Sequence, residues 1–556
     1  MIYKLQIKYY LSSLFIILFI IKKGDYVKVA ILSPTIAPIT SVGGLGDVIQ
    51  DLSYFFQLNG NEAIVLTCNH YGKFNEIPHT IECSIKIPYH GTDITFNVLD
   101  LQHPITKVNI KVFSNEEFNK LDMWESIKYE IFADLVVSYL NKFRDIDCVS
   151  GHDWHCGLAI AKCKDKLNLP TTMTIHNEAF KGPIIEYDGN VMSFLELGIH
   201  YCDAFNTVSP THREELMSID FIRQNSEKKP FYGILNGINF EEFNSSNLID
   251  RMIKLSNYKL DPRNYGYVSN YGYSDGNIEK PKIKYSWVYQ KDILKYIDDW
   301  NNIDKRGISA TDIEVYGNIE GKIEDPLIGF VGRATYQKGF DIIFPAFSEL
   351  IEEKKNLNLI MLASGEKEIE NRMKDFAESY CDNVMALIGY SQPLTSIIYG
   401  SSDWTIVPSV WEPCGLTQME SMAYCTPVVG REIGGLKDSI ISLNPDPIKE
   451  PNFNEATGVL FKHYDKKGLK WGVEHALRWT FYNIKDVCIY VNYTHIKCGS
   501  SPYDLNSPLS IIMKNCYNHA FKNLSWQNNG SILKYKGLFG GAIYYNIYGE
   551  SENNIK

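Results

Sequence analysis

Residues 330–340 read FVGRATYQKGF, and residues 409–435 read SVWEPCGLTQMESMAYCTPVVGREIGG. Between them the chain alternates strand-like apolar runs with helix-like periodic ones. The first stretch sets Arg333 at the end of an apolar run, with Lys338 five residues later. The second sets Glu412 and Glu420 eight residues apart around Gly415. A guanidinium fork and an ammonium grip a diphosphate well. The turn Gly415-Leu416-Thr417, opening a helix, adds backbone N–H donors and a positive dipole end for the same anion. The carboxylates cannot bind phosphate, but they accept hydrogen bonds from sugar or ribose hydroxyls. Singly, each piece is ordinary: a solvated charge, an exposed helix face, a plain turn. Together they fall at strand ends of one α/β half, where open parallel sheets bind ligands, and they describe a pocket for a nucleotide sugar.

A chain of 556 residues exceeds one ordinary core, so two domains plus insertions are expected. A net charge of −11 argues against a nucleic-acid partner, which would favour a basic stripe. No Walker-type phosphate loop and no G-x-G-x-x-G fingerprint is present, which weakens ATPase and dehydrogenase readings. The twelve cysteines form no C-x-x-C pair and several lie in apolar runs, as expected of buried thiols in a reducing compartment. Cys414, inside the phosphate turn, reads as a small packing residue rather than a nucleophile.

At the N-terminus, YYLSSLFIILFII (9–21) is nearly all apolar and flanked by Lys4, Lys8, Lys22 and Lys23. It is short for a membrane span and lacks a small-residue cleavage site. Residues 1–27 are therefore taken as an apolar extension dispensable for folding. A soluble protein in a cytoplasmic or plastid-like compartment is expected, with targeting and membrane anchoring left open.

Residues 28–245 read as a first Rossmann-like domain. Its strand-like runs are KVAILSP (28–34), EAIVLTC (62–68), DCVSGHD (147–153), TTMTIHN (171–177), AFNTVSP (204–210) and FYGILNG (231–237), and the segment 92–114 alternates like an inserted hairpin. Residues 326–480 repeat the scheme with PLIGFVG (326–332), NLNLIMLASG (356–365), NVMALIGY (383–390), DWTIVPS (403–409) and TPVVG (426–430). The fold class expected is α/β, two doubly wound domains facing each other across a central cleft. Residues 246–325, rich in Asn, Tyr, Asp and Lys, read as an interdomain segment with an insertion. Residues 481–556 read as a second insertion followed by a C-terminal helix.

These motifs resemble a known family. SVGGLGDV (41–48), GHDWHCGL (151–158), TIHNEAFKG (174–182), DAFNTVSP (203–210) and GILNGI (233–238) come first, then PLIGFVGRATYQKG (326–339), EPCGLTQ (412–418) and the glycine pair 434–435. In this order the chain is similar to bacterial- and plant-type glycogen (starch) synthases, retaining glucosyltransferases of the two-Rossmann GT-B architecture. NLSW (523–526) matches a segment that in the family precedes a helix returning to the first domain.

The resemblance implies transfer of glucose from ADP-glucose or UDP-glucose to an α-1,4-glucan primer, with no cofactor and no metal. It implies that Arg333 and Lys338 neutralise the diphosphate leaving group, with Glu412 near the glucose 3-hydroxyl and Glu420 near the ribose. Gly43 and Gly44 would let a backbone N–H approach the donor phosphate. His176 would lie beside the reacting sugar at its 6-hydroxyl, Asp153 would be the family's cleft aspartate, and Asn236 would contact the glucose. The string His152-Asp153-Trp154-His155 mimics a metal site, but the family's transfer is not known to need one. Two departures stand out: Ser41 occupies the position where the family usually has a lysine before its glycine pair, and Glu420 is an acid where close relatives often lack one, though broader GT-B transferases carry it. An acid at Glu420 is compatible with either nucleotide, so the donor stays open. A GT-B transferase with a non-glucan acceptor and an inactive glucan-binding protein are the competing readings; oligomeric state is not legible.

Overall fold

Runs such as KVAIL and EAIVLTC become parallel strands because helices cover both faces of the sheet they enter, so every side chain along them is paid in burial. The computed structural model describes residues 26–40, 43–89, 91–265, 283–305, 310–447, 449–450, 452–482, 501–504 and 507–553. It divides the chain into two units: residues up to Asn236 together with those from Asn529 onward, and Gly237–Asn528.

The first unit is built on a nine-stranded sheet in the order β11-β10-β7-β6-β1-β2-β5-β4-β3. In chain order these are β1 (Lys28–Leu32), β2 (Glu62–Cys68), β3 (Thr80–Tyr89), β4 (Thr92–Gln102), β5 (Asn109–Ser114), β6 (Cys148–His152) and β7 (Thr171–Ile175). A separate two-stranded hairpin, β8 (Ile184–Tyr187) and β9 (Asn190–Ser193), precedes β10 (Ala204–Thr207) and β11 (Phe231–Gly233). The chain runs outward from β1 through β2 to β5, then returns to lay β6 on the other side of β1. That reversal is a topological switch point, where the loops leaving β1 and β6 diverge and open a crevice. The segment 92–114 does pair as antiparallel strands, β4 against β5.

The helix Ser531–Asn553 completes this unit. Tyr535, Leu538 and Phe539 are fully buried, and Phe539 meets Phe56 edge-on at 5.4 Å.

The second unit carries a seven-stranded sheet, β12-β15-β14-β13-β16-β17-β18. Its strands are β12 (Glu314–Ile319), β13 (Leu327–Ala334), β14 (Asn358–Gly365), β15 (Asn383–Ile388), β16 (Trp404–Val407), β17 (Val428–Arg431) and β18 (Gly458–Phe461). All pair in parallel except β12, which runs antiparallel to β15 at the edge. Its switch point lies between β13 and β16.

Three features differ from the sequence reading. The passage between units comes at Asn236–Gly237, ahead of the expected boundary at 245. The second sheet recruits β12 from before residue 326. The described part of 246–325 is folded into the second unit as helices Leu248–Leu255 and Asp292–Asn302 with a π-turn Tyr285–Tyr289, burying Trp287, Tyr296 and Trp300 completely. Lys284 there is also fully buried; its ammonium donates to Asp403 Oδ2 at 3.0 Å and to the Asp325 carbonyl at 2.9 Å. Tyr503 donates to the other Asp403 oxygen at 2.8 Å. Most of the 481–510 insertion, the apolar run 9–21 and Ser41 lie outside the described residues. Among the described residues no helix is long and apolar enough to cross a membrane.

Candidate functional site

In the second unit, Arg333 and Lys338 stand at the carboxyl end of β13, on the switch-point side. The turn that follows Lys338 needs Gly339: its φ is +82°, and a Cβ there would sit 2.3 Å from the Pro408 carbonyl oxygen. Close approach at this point brings the 408–412 loop, which leaves β16, against Lys338. The Lys338 ammonium donates to Glu412 Oε2 at 2.6 Å, and the Ser409 hydroxyl donates to the same oxygen at 2.8 Å. Glu412 is nearly buried, so its second oxygen carries what remains of its accepting capacity.

Gln337 links the other half of this group. Its side-chain carbonyl accepts from Arg333 Nη2 at 2.9 Å, and its amide nitrogen donates to the Trp411 carbonyl at 3.0 Å. Arg431, from the end of β17, donates to the Val410 carbonyl and lies over the Tyr464 ring at 5.0 Å. The 409–412 loop is therefore held from three sides.

Downstream, Gly415 takes φ +74° and Leu416 caps the short helix Thr417–Ala423. Burial, and then the nearby Glu420 carboxylate, suppress the acidity of the Tyr399 hydroxyl. Cys414 is buried, consistent with packing.

In the first unit, Gly43 takes φ +70° and Gly44 caps the helix Leu45–Leu58, in the loop that leaves β1. Asp153 follows β6 directly. Its φ of 59° with ψ of 177° is a region populated essentially by glycine, and such outliers concentrate at functional sites. What holds it there is its own carboxylate: Oδ1 accepts from the backbone N–H of His176 at 2.7 Å and of Asn177 at 3.1 Å. Burial pushes its pKa up to about 7, against the pull of those two bonds. His176, just past β7, has its ring Nε2 at 2.9 Å from Nδ1 of the fully buried His152. Burial pushes His176 down to about 3, so the ring is neutral at physiological pH.

Asn236, expected from the resemblance to contact the glucose, lies at the end of the first unit's main segment. It is buried, and its side-chain carbonyl accepts from Tyr535 of the C-terminal helix at 3.4 Å. Beyond Asn177 the chain forms a groove of about 350 Å³ lined by Trp124, Trp154, Phe180, Lys181 and Pro183. Trp124 and Phe180 are more than half exposed there.

Arg333, Lys338 and Glu412 are thus brought together in one unit, and Asp153 and His176 in the other. Gln337, Ser409 and His152 join them as contacts that sequence reading did not assign. Gln337 sits inside the YQKG motif in the turn after β13, and its four-residue spacing from the strand residue Arg333 carries no signal of its own. Among the described residues no cluster of three or more His, Cys, Asp or Glu side chains is arranged to hold a metal ion.

Comparison with known proteins gives a consistent picture. A family model described as the starch synthase catalytic domain matches residues 28–227, and one described as glycosyl transferases group 1 matches residues 314–480. A probable glycogen synthase of Methanocaldococcus jannaschii is 58% identical over 517 residues, covering 93% of this chain and 99% of that one. A glycogen synthase of Thermosipho africanus is 28% identical, covering 81% and 91% of the two chains. Among solved structures, the catalytic domain of starch synthase IV from Arabidopsis thaliana, bound to ADP and acarbose, superposes with a TM-score of 0.70 at 18% identity. That match covers 93% of this chain and 99% of the other.

Proposed function

The chain belongs to the glycogen and starch synthase family of GT-B glycosyltransferases, and from that premise we propose that it transfers glucose from ADP-glucose or UDP-glucose to the non-reducing end of an α-1,4-glucan with retention. The observation that carries this reading is the grouping of Arg333, Lys338 and Glu412 at the second unit's switch point, tied by Gln337 and Ser409. Departure of a nucleoside diphosphate builds negative charge on phosphate oxygen, and two fixed cations at a strand end are suited to stabilise it. Glu412 supplies an acceptor for a glucose hydroxyl, and the Gly415–Thr417 turn supplies backbone donors for phosphate. Glu420 is the acceptor for the ribose.

In the transfer the bond from glucose C1 to the diphosphate oxygen breaks, and a bond from C1 to the acceptor 4-oxygen forms on the same face. The hydroxyl proton passes to the departing phosphate oxygen, so atoms and charge balance without an enzyme carboxylate as nucleophile. In the first unit, Asp153 holds the His176 backbone and His176 offers a neutral ring to the sugar. The groove beside them presents Trp and Phe faces, which suit the flat C–H faces of linked glucose units, with Lys181 as a polar donor. We place the reaction in the cytoplasm; the ten described cysteines are all free thiols, as a reducing compartment requires.

The test is glucose incorporation into glycogen by the full chain, with ADP-glucose and UDP-glucose in parallel. Incorporation from either donor supports the reading and identifies the nucleotide. Diphosphate release without polymer growth would reassign the acceptor. No turnover from either donor, in folded protein, would overturn it.

A further inference from the structure

Behind His176 runs a line of side chains that the transfer reaction does not itself use. His152 Nδ1 lies 2.9 Å from His176 Nε2, and His152 Nε2 lies 3.3 Å from the Ser150 hydroxyl oxygen. Ser150 and His152 belong to β6 and are completely buried, and His176 follows the adjacent strand β7. We propose that Ser150 and His152 are positioning residues that fix the tautomer of His176, so that it presents Nδ1–H as a hydrogen-bond donor. The proposal rests on the reading of His176 as a sugar-facing residue.

The direction of the protons follows from counting donors. Two neutral imidazoles sharing one hydrogen bond have two arrangements. In one, the Ser150 hydroxyl donates to His152 Nε2, His152 Nδ1–H donates to His176 Nε2, and His176 carries its proton on Nδ1. In the other, every bond is reversed and His176 Nδ1 is bare. The reversed chain makes Ser150 an acceptor from His152 and leaves its own O–H to find another partner. Among the described residues the Ser150 hydroxyl has no other partner, and a buried hydroxyl with an unmade donor is disfavoured. The first arrangement satisfies every polar hydrogen of the fully buried Ser150 and His152 and leaves only His176 Nδ1–H, on the half-buried ring at the end of the line, for a ligand.

Burial disfavours the charged form of both rings, which keeps the line neutral with a defined polarity. No bond to His176 Nδ1 is present among the described residues, so this nitrogen is the one available to a ligand. A neutral N–H donor of fixed direction matches a sugar hydroxyl oxygen and costs no reorganisation when the sugar arrives.

Long-range 15N–1H correlation on the histidine-labelled full chain reads the tautomers directly, with His152→Asn and His176→Gln spectra supplying the assignments. Both rings are expected as neutral Nδ1–H tautomers; an Nε2–H tautomer at His176 would overturn the proposal whatever the enzyme's activity. Ser150→Ala should shift both rings toward mixed tautomers, and Ser150→Thr, which keeps the hydroxyl, should restore them. In glucose transfer, His152→Leu should lower kcat by about tenfold or more while changing donor KM much less. His152→Asn, whose amide N–H replaces Nδ1–H, should recover most of that loss. Equal kcat in the Leu and Asn variants would reduce His152 to packing. Nδ1–H tautomers in a chain that transfers no glucose would leave the proton line standing and sink the functional reading instead.

Discussion

Lys338 donates to Glu412 across 2.6 Å, so a diphosphate drawing on that ammonium competes with a carboxylate already beside it. Removing the cation should therefore affect chemistry far more than folding. Lys338→Ala is expected to lower turnover on the order of 10²–10³-fold, while Ser409 still donates to Glu412 and the protein still unfolds in one cooperative melt, at a somewhat lower temperature because a buried carboxylate has lost its cation. Unchanged turnover would remove Lys338 from the diphosphate clamp. Asp153 supplies a test in pH. Its folded pKa of about 7 lies above the ordinary 3.8, so its contribution to stability is full at low pH and is lost as pH rises through 7. His176, held near 3 against an ordinary 6.5, runs the other way: its contribution is present above 6.5 and lost as pH falls. Asp153→Asn keeps a carbonyl for both backbone N–H groups and removes only the first effect. The variant should gain stability on the parent as pH is raised from about 4 to about 8, measured as the difference in melting temperature; a flat difference would show that this carboxyl is not titrating in the fold. Arg333, Lys338, Glu412 and His176 stood out in the sequence because they converge on motifs at strand ends, and the structure groups the first three at the end of β13. Gln337 and Ser150 did not, since an amide or a hydroxyl is common anywhere and only contact reveals its use.

At the scale of elements, the parallel strands stood out because each is a short aliphatic run buried on both faces; β2 occupies the very residues read from EAIVLTC. β12 was missed: EVYGNI lies at a sheet edge, mostly half-exposed, and carries no sustained apolar run. The helices of 246–325 were missed for another reason. Their buried faces are regular, Leu248, Ile249 and Met252 in one and Ile293, Tyr296, Ile297 and Trp300 in the other, but each helix is short and a surrounding composition rich in Asn and Tyr masks it. Among the turns, Gly434 has φ +44°, and a Cβ there would stand 2.2 Å from the Glu412 carbonyl oxygen. Gly434→Ala should cost about 1–3 kcal/mol and displace Glu412, so thermal stability and glucose transfer are expected to fall together. Loss of stability with full transfer would separate that turn from the site.

For the whole molecule, two segments that looked featureless in sequence meet at one carboxylate. Lys284 and Tyr503 both bond Asp403, and Lys284 and Asp403 are essentially fully buried. Lys284→Met leaves that charge without its cation and should destabilise the second unit by about 3–5 kcal/mol, seen in chemical denaturation; a change under 1 kcal/mol, the level of an exposed pair, would show that Tyr503 and the Leu327 N–H suffice. The C-terminal helix has a different reach. Because Tyr535, Leu538 and Phe539 fill the first unit, a chain ending at Gly530 should keep a protease-resistant second unit and lose the first; equal resistance of both would make the helix an accessory. The same feature governs the order of events on the ribosome. The main segment of the first unit is made before the second unit, yet the first unit cannot close until Ser531 and its successors are made, nearly 300 residues after Asn236. At about 5–20 residues per second that is a wait of roughly 15–60 s. The second unit, unbroken from Gly237 to Asn528, is finished first, and the nascent chain carries an open apolar seam along β6, β7 and β10 until its last helix arrives.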